Sequence, residues 1–136
     1  MTARVDAGGT RLRLRALVAL GHSSGRIARA LGVHRTTVCV LLNGQAATVS
    51  EELRGDACRL FDTWWDKVPH GRTRAARAAA AAARHRAQRA GWCCPLGLDD
   101  DEIDVPGYRP KAEWRPAEGT GIAADDPLGI GGRRAA

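Results

Sequence analysis

Aromatic side chains are scarce: they make up 4% of the chain, with one Phe, one Tyr and four Trp. A sizeable core is therefore expected over only part of the 136 residues, which read as one domain with a tail. Long apolar runs are missing too. Residues 16–20 are too short for the core of a secretory leader, and no cleavage site follows them. The alanine run at 78–83 is too short and too weakly hydrophobic to span a bilayer. The expectation is a soluble, cytoplasmic protein with no membrane partner. The four cysteines, Cys39, Cys58, Cys93 and Cys94, form no C-x-x-C pair and no zinc spacing. His22, His34, His70 and His85 show no ligand spacing either. No Ser–His–Asp or Cys–His arrangement can be argued from the residues. No cofactor, no metal and no enzymatic activity are therefore expected.

Lysine is nearly absent: of 21 cationic side chains only Lys67 and Lys111 are lysines. An Arg- and Ala-rich composition follows in part from GC-rich coding. The placement of charge is more telling. Residues 71–95 carry six arginines and no acid, whereas residues 96–136 carry five basic and nine acidic side chains. A net charge of +6 and a pI near 9.9 favour a polyanionic partner, with nucleic acid ahead of a membrane surface.

Against these absences stands one patterned stretch. Residues 24–43, SGRIARALGVHRTTVCVLLN, read as two short helices joined at Gly32. Ile27, Ala28 and Leu31 make an apolar face on the first, and Val38, Leu41 and Leu42 make one on the second. Ala28 leaves room where the two helices cross. Gly32, four residues on, takes the left-handed conformation that the turn needs. Val33 fills the space beneath the turn. The pattern is that of a helix-turn-helix, whose second helix enters the DNA major groove.

The predicted fold class is all-α: a helix-turn-helix bundle of four to five helices with an Arg/Ala-rich helix and an irregular C-terminal tail. Residues 1–70 form the DNA-binding domain, 71–91 the Arg/Ala-rich helix, and 92–136 an acidic, Pro/Gly-rich tail, disordered from 117 on. Within the first unit, residues 1–9 read as a flexible arm. Thr10 caps a helix over 11–20 that buries Leu14, Leu17 and Val18 and points Arg11 and Arg15 away. Ser23 or Ser24 caps the second helix, to 31, and the third spans 35–43. A loop at 45–49 follows. Thr48 or Ser50 then caps a fourth helix over 51–67, whose Leu53, Ala57, Leu60, Phe61 and Trp64 repeat at helical spacing. Residues 72–90 have high helix propensity but no large side chain to bury. They either dock through alanines, presenting Arg77, Arg84 and Arg86 outward, or fold fully only on a partner. Residues 92–115, with Trp92 as anchor and Trp114 among their apolar groups, are expected to lie extended over the folded surface.

The chemistry expected of this pattern is DNA recognition. Arg35 and Thr36 lead the base contacts, Arg35 through a bidentate pair to guanine and Thr36 through its hydroxyl or a thymine methyl. Val40 lies one turn further along the same face, with Cys39 nearby. Ser24, Arg26, the Gly44 amide and Gln45 are the candidate phosphate contacts. Double-stranded DNA is the expected partner, with a homodimer as a further possibility and the nucleoid as the place of work.

Residues 11–67 resemble the lambda-repressor-like, Xre-type helix-turn-helix domain. The residues that carry the likeness are Leu17, Ile27, Ala28, Leu31, Gly32, Val33, Val38, Leu41, the Leu42-Asn43-Gly44 exit and Val49-Ser50. The resemblance implies a helical bundle, operator binding and frequent dimerisation, and hence a sequence-specific transcriptional regulator acting as a repressor. His34 departs from the family, which usually has Ser or another good cap there, so the third helix is expected to fray at its start or to begin at Thr36. Residues 88–106, QRAGWCCPLGLDDDEIDVP, are similar to a segment of actinobacterial and actinophage proteins that carry such a domain. A different class of function is a protein-interaction module, such as an antitoxin or phage adaptor, whose C-terminal tail binds a protein. The cluster Asp99, Asp100, Asp101, Glu102 and Asp104 invites a nuclease assignment. Adjacent carboxylates in a Pro/Gly-flanked loop point different ways, however, so a solvated loop, or one pairing with the helix at 72–89, is expected instead.

Overall fold

The computed structural model describes residues 3–69 and 71–110. Its elements in chain order are β1 (Arg4–Asp6), α1 (Gly8–Leu20), α2 (Ser24–Leu31), α3 (Arg35–Leu42), β2 (Thr48–Ser50), α4 (Glu51–Trp64) and α5 (Arg74–Ala90). A short 3₁₀ turn follows at Pro95–Gly97. The protein is an all-α bundle with a two-stranded ribbon at its edge.

α1 is the hub. Its Leu14, Ala16, Leu17 and Val18 are fully buried, and α3, α4 and α5 all pack against it. Ile27, Ala28, Val38, Leu41, Leu42, Val49, Ala57 and Phe61, with Ala7, Ala83 and Ala87, complete the core. α1 ends at Gly21, whose φ of 116° is open to glycine alone, and a Cβ there would sit 2.6 Å from an Arg84 guanidinium nitrogen. Gly32 closes α2 at φ 70°, and a Cβ there would meet nothing within 4 Å. Its requirement is therefore conformational alone.

Several expectations are corrected at the edges of the bundle. Residues 4–6 are not a loose arm. They pair antiparallel with β2, placing Arg4 opposite Ser50 and Val5 opposite Val49. The Glu51 amide donates to Ala3 O at 2.9 Å and the Ala7 amide to Ala47 O at 3.0 Å. The segment after α3 is thus part strand, not only loop. α1 begins two residues before Thr10, with Ala7 at the cap position. Thr10 is instead buried inside the helix, and its hydroxyl finds no partner. Ser50, not Thr48, caps α4, accepting from the Leu53 amide at 3.0 Å. Ser23 caps α2 by accepting from the Arg26 amide.

α5 docks on α1 through Ala80, Ala83 and Ala87, which are buried. Small side chains let the two helices approach closely, so an alanine face substitutes for a leucine stripe. Arg77 is exposed, as expected. Arg84 and Arg86 are only half-exposed, because they pack on the bundle. Thr73 caps α5 and Gly91, at φ 77°, ends it. Residues 92–110 then run back over α1 as a strap, with Cys93, Ile103 and Pro110 buried and Trp92 partly so. Trp114 and the stretch from 117 lie outside the described residues.

Candidate nucleic-acid interface

α3 presents its first turn to solvent. Arg35, Thr36 and Thr37 are exposed, while Cys39 and Val40 are half-buried. His34 proves a working cap: its Nδ1 accepts from the Thr36 amide at 3.3 Å and lies 3.1 Å from the Thr36 hydroxyl. The helix accordingly starts at Arg35, not at Thr36 as the weak cap suggested. The Arg35 guanidinium makes no ion pair among the described residues. Thr36 and Val40 line a shallow groove of about 300 Å³ between α3 and the ribbon, together with Arg4, Thr37, Thr48 and Leu53. Arg4 and Thr37 are candidate contacts that the sequence pattern missed. Arg4 is placed only by strand pairing, where it donates to Thr48 O at 2.9 Å.

The far end of α3 is held from below. Arg15 donates to Leu42 O through Nε at 2.9 Å and Nη2 at 2.7 Å, and Arg11 donates to Ala46 O at 3.2 Å. These two arginines do not point away from the fold, as their helical positions suggested. They satisfy carbonyls at and just beyond the negative end of α3. The Arg15 guanidinium also lies 5.0 Å from the Trp92 ring centroid, and that of Arg86 lies 5.3 Å from it. Arg86 in turn donates to Asn43 Oδ1 at 3.1 Å. The Gly44 amide, a candidate phosphate donor, is already bonded to Leu41 O at 3.1 Å. Only the exposed side chain of Gln45 remains open for that role at this end.

α2 offers a second edge. Ser24 is 8% exposed, so its side chain is withdrawn from the phosphate contact expected of it, and Ser23 stands at the cap instead. Arg26 is exposed but fixed. Its Nε donates to His22 Nδ1 at 3.2 Å, and its guanidinium lies 4.9 Å from the Trp64 ring centroid. His22 is buried and stacks on Trp64, with ring centroids 4.4 Å apart. Its Nε2 lies 2.8 Å from Lys67 O. A neutral ring protonated at Nε2 satisfies both bonds, donating to the carbonyl and accepting from Arg26. Burial, followed by the charge of Arg26, holds the His22 pKa below its ordinary 6.5, against the pull of the Lys67 carbonyl.

The acids are unevenly placed along the chain. Residues 7–50 contain no Asp or Glu, and neither does α5. Acids gather on α4 and in the loop at 99–104. That loop does not pair with α5. Asp104 reaches α1, where Arg13 donates to both its oxygens at 2.8 and 3.0 Å. The bond to Arg13 lowers the Asp104 pKa, and the same bond raises that of Arg13. Asp99, Asp100, Asp101 and Glu102 are exposed. Among the described residues no three metal-ligating side chains converge, and no helix is long and apolar enough to cross a membrane. No family model, curated protein or solved structure matches the chain.

Proposed function

We propose that the protein is a sequence-specific, DNA-binding transcriptional regulator of the Xre-like kind, acting as a repressor. The observation that carries this is the exposed first turn of α3, with Arg35 and Thr36 held ready by the His34 cap on a helix that carries no acid. α3 enters the major groove, Arg35 reads guanine, and α2 crosses the phosphate backbone with Arg26 toward it. Capping and carbonyl bonds at both ends of α3 fix its orientation before DNA arrives, which lowers the ordering cost of binding.

The interaction-module alternative draws less support. Among the described residues of the strap, Trp92 is partly buried, Ile103 and Pro110 are buried, and the large apolar side chains left exposed are Leu96 and Val105. Two such side chains fall short of a docking patch on the described strap. Selection from random duplex DNA tests the proposal directly. A defined site should emerge, and Arg35→Ala should weaken binding to it by about 1–3 kcal/mol with little effect on random duplex. Equal loss on both DNAs would show that Arg35 does not read bases.

A further inference from the structure

α2 and α5 enclose a cleft that the helix-turn-helix pattern does not account for. It measures about 370 Å³ and is lined by Ser23, Arg26, Arg29, Arg72, Pro69 and the alanines of the first half of α5. Its lining holds three guanidinium groups and no carboxylate. Among the described residues Arg29 and Arg72 are exposed and neither makes an ion pair, and Arg77 of the neighbouring cleft is likewise exposed and unpaired. The first turns of α2 and α5 carry no acid, so the positive ends of two helix dipoles add to the field. Like charges assembled this closely repel unless an anion joins them.

The cleft is also built rather than incidental. Docking of Ala80, Ala83 and Ala87 on α1 fixes the distance between α5 and α2. At Gly71 the incoming chain presses so closely on α5 that a Cβ would lie 2.6 Å from the Arg77 amide nitrogen and 2.8 Å from Ala76 C. That close approach sets where Arg72 stands.

We infer that this cleft is a second seat for the sugar–phosphate backbone of duplex DNA, gripping the flank of the same site that α3 reads. The inference rests on the DNA-binding proposal above, but it concerns affinity, not base recognition. A guanidinium suits a phosphate because its fork donates two parallel hydrogen bonds. α5 thereby widens the footprint of a small domain without adding a base contact.

The test uses the full chain and fluorescence anisotropy on the selected duplex and a random one, with salt varied from about 50 to 200 mM. Arg29→Ala/Arg72→Ala should lower affinity for both duplexes by the same factor. It should also flatten the plot of log affinity against log salt by about 1–2 units of slope. Arg29→Lys/Arg72→Lys, which keeps the charge, should restore most of that slope and guards against a folding defect. An unchanged slope in the alanine variant would overturn the inference while leaving α3 as the reader. A flattened slope together with an Arg35→Ala variant that keeps its preference would do the reverse, retaining the cleft and removing the base-reading proposal.

Discussion

Arg26 is exposed, yet its head group is fixed by a buried neighbour. His22 supplies the acceptor and Trp64 the ring surface, so a cation at the surface is oriented from inside. Protonation of His22 would turn Nδ1 from acceptor to donor and place a second positive charge beside Arg26. The folded state therefore resists that proton, whereas the unfolded chain takes it up near the ordinary 6.5. With more protons bound when unfolded, stability is full above that value and falls as pH drops through it. Urea melts from about pH 7.5 to about pH 5.5 should show this decline, and His22→Gln should flatten it. A slope that survives the substitution would assign the effect to another group. The motif residues Ala28, Gly32 and Val38 were legible because helical spacing alone defines their roles. His22 was not, since its carbonyl partner Lys67 lies 45 positions away.

At the scale of elements, α1 and the strap are joined by one ion pair that dictates a glycine. A Cβ on Gly9 would fall 2.1 Å from Asp104 Oδ1 and 3.1 Å from an Arg13 nitrogen. Gly9→Ala should therefore cost about 1 kcal/mol, as the pair is displaced and Arg13, with an 11% exposed side chain, loses its carboxylate. In an Asp104→Ala background the same change should stabilise by about 0.5–1 kcal/mol, because alanine is then free to favour the helix. Thermal melts of the four proteins decide this, and the same sign in both backgrounds would dissociate the glycine from the pair. Four helices were readable from apolar spacing, caps and breakers, and α5 from its helix propensity alone. The ribbon was not, because three-residue strands are too short for alternation to show and their pairing spans the length of three helices. The alanine face of α5 was ambiguous for a related reason: composition gives helix propensity but not what lies opposite.

Charge is unevenly placed along the chain: residues 7–50 and α5 hold no acid, while carboxylates gather on α4 and the strap loop. Repulsion among the excess arginines opposes folding, and salt relieves it. In the absence of DNA, Tm should rise by a few degrees between about 20 and 200 mM salt. Over the same range the affinity for duplex should fall, because salt competes with the phosphates. Parallel thermal melts and anisotropy titrations read both trends, and a flat or falling Tm would show that the lopsided charge carries no strain. The ribbon has a consequence at this scale as well. It closes residues 4–50 into a ring without a covalent bond. Closing such a ring costs about 3 kcal/mol of chain entropy beyond a constant, more than three residue pairs recover alone. The ribbon is thus a latch that shuts only once the helices have brought its strands together. Opened locally, it would release Arg4 and the flank of α3 and draw Val49 out of the core.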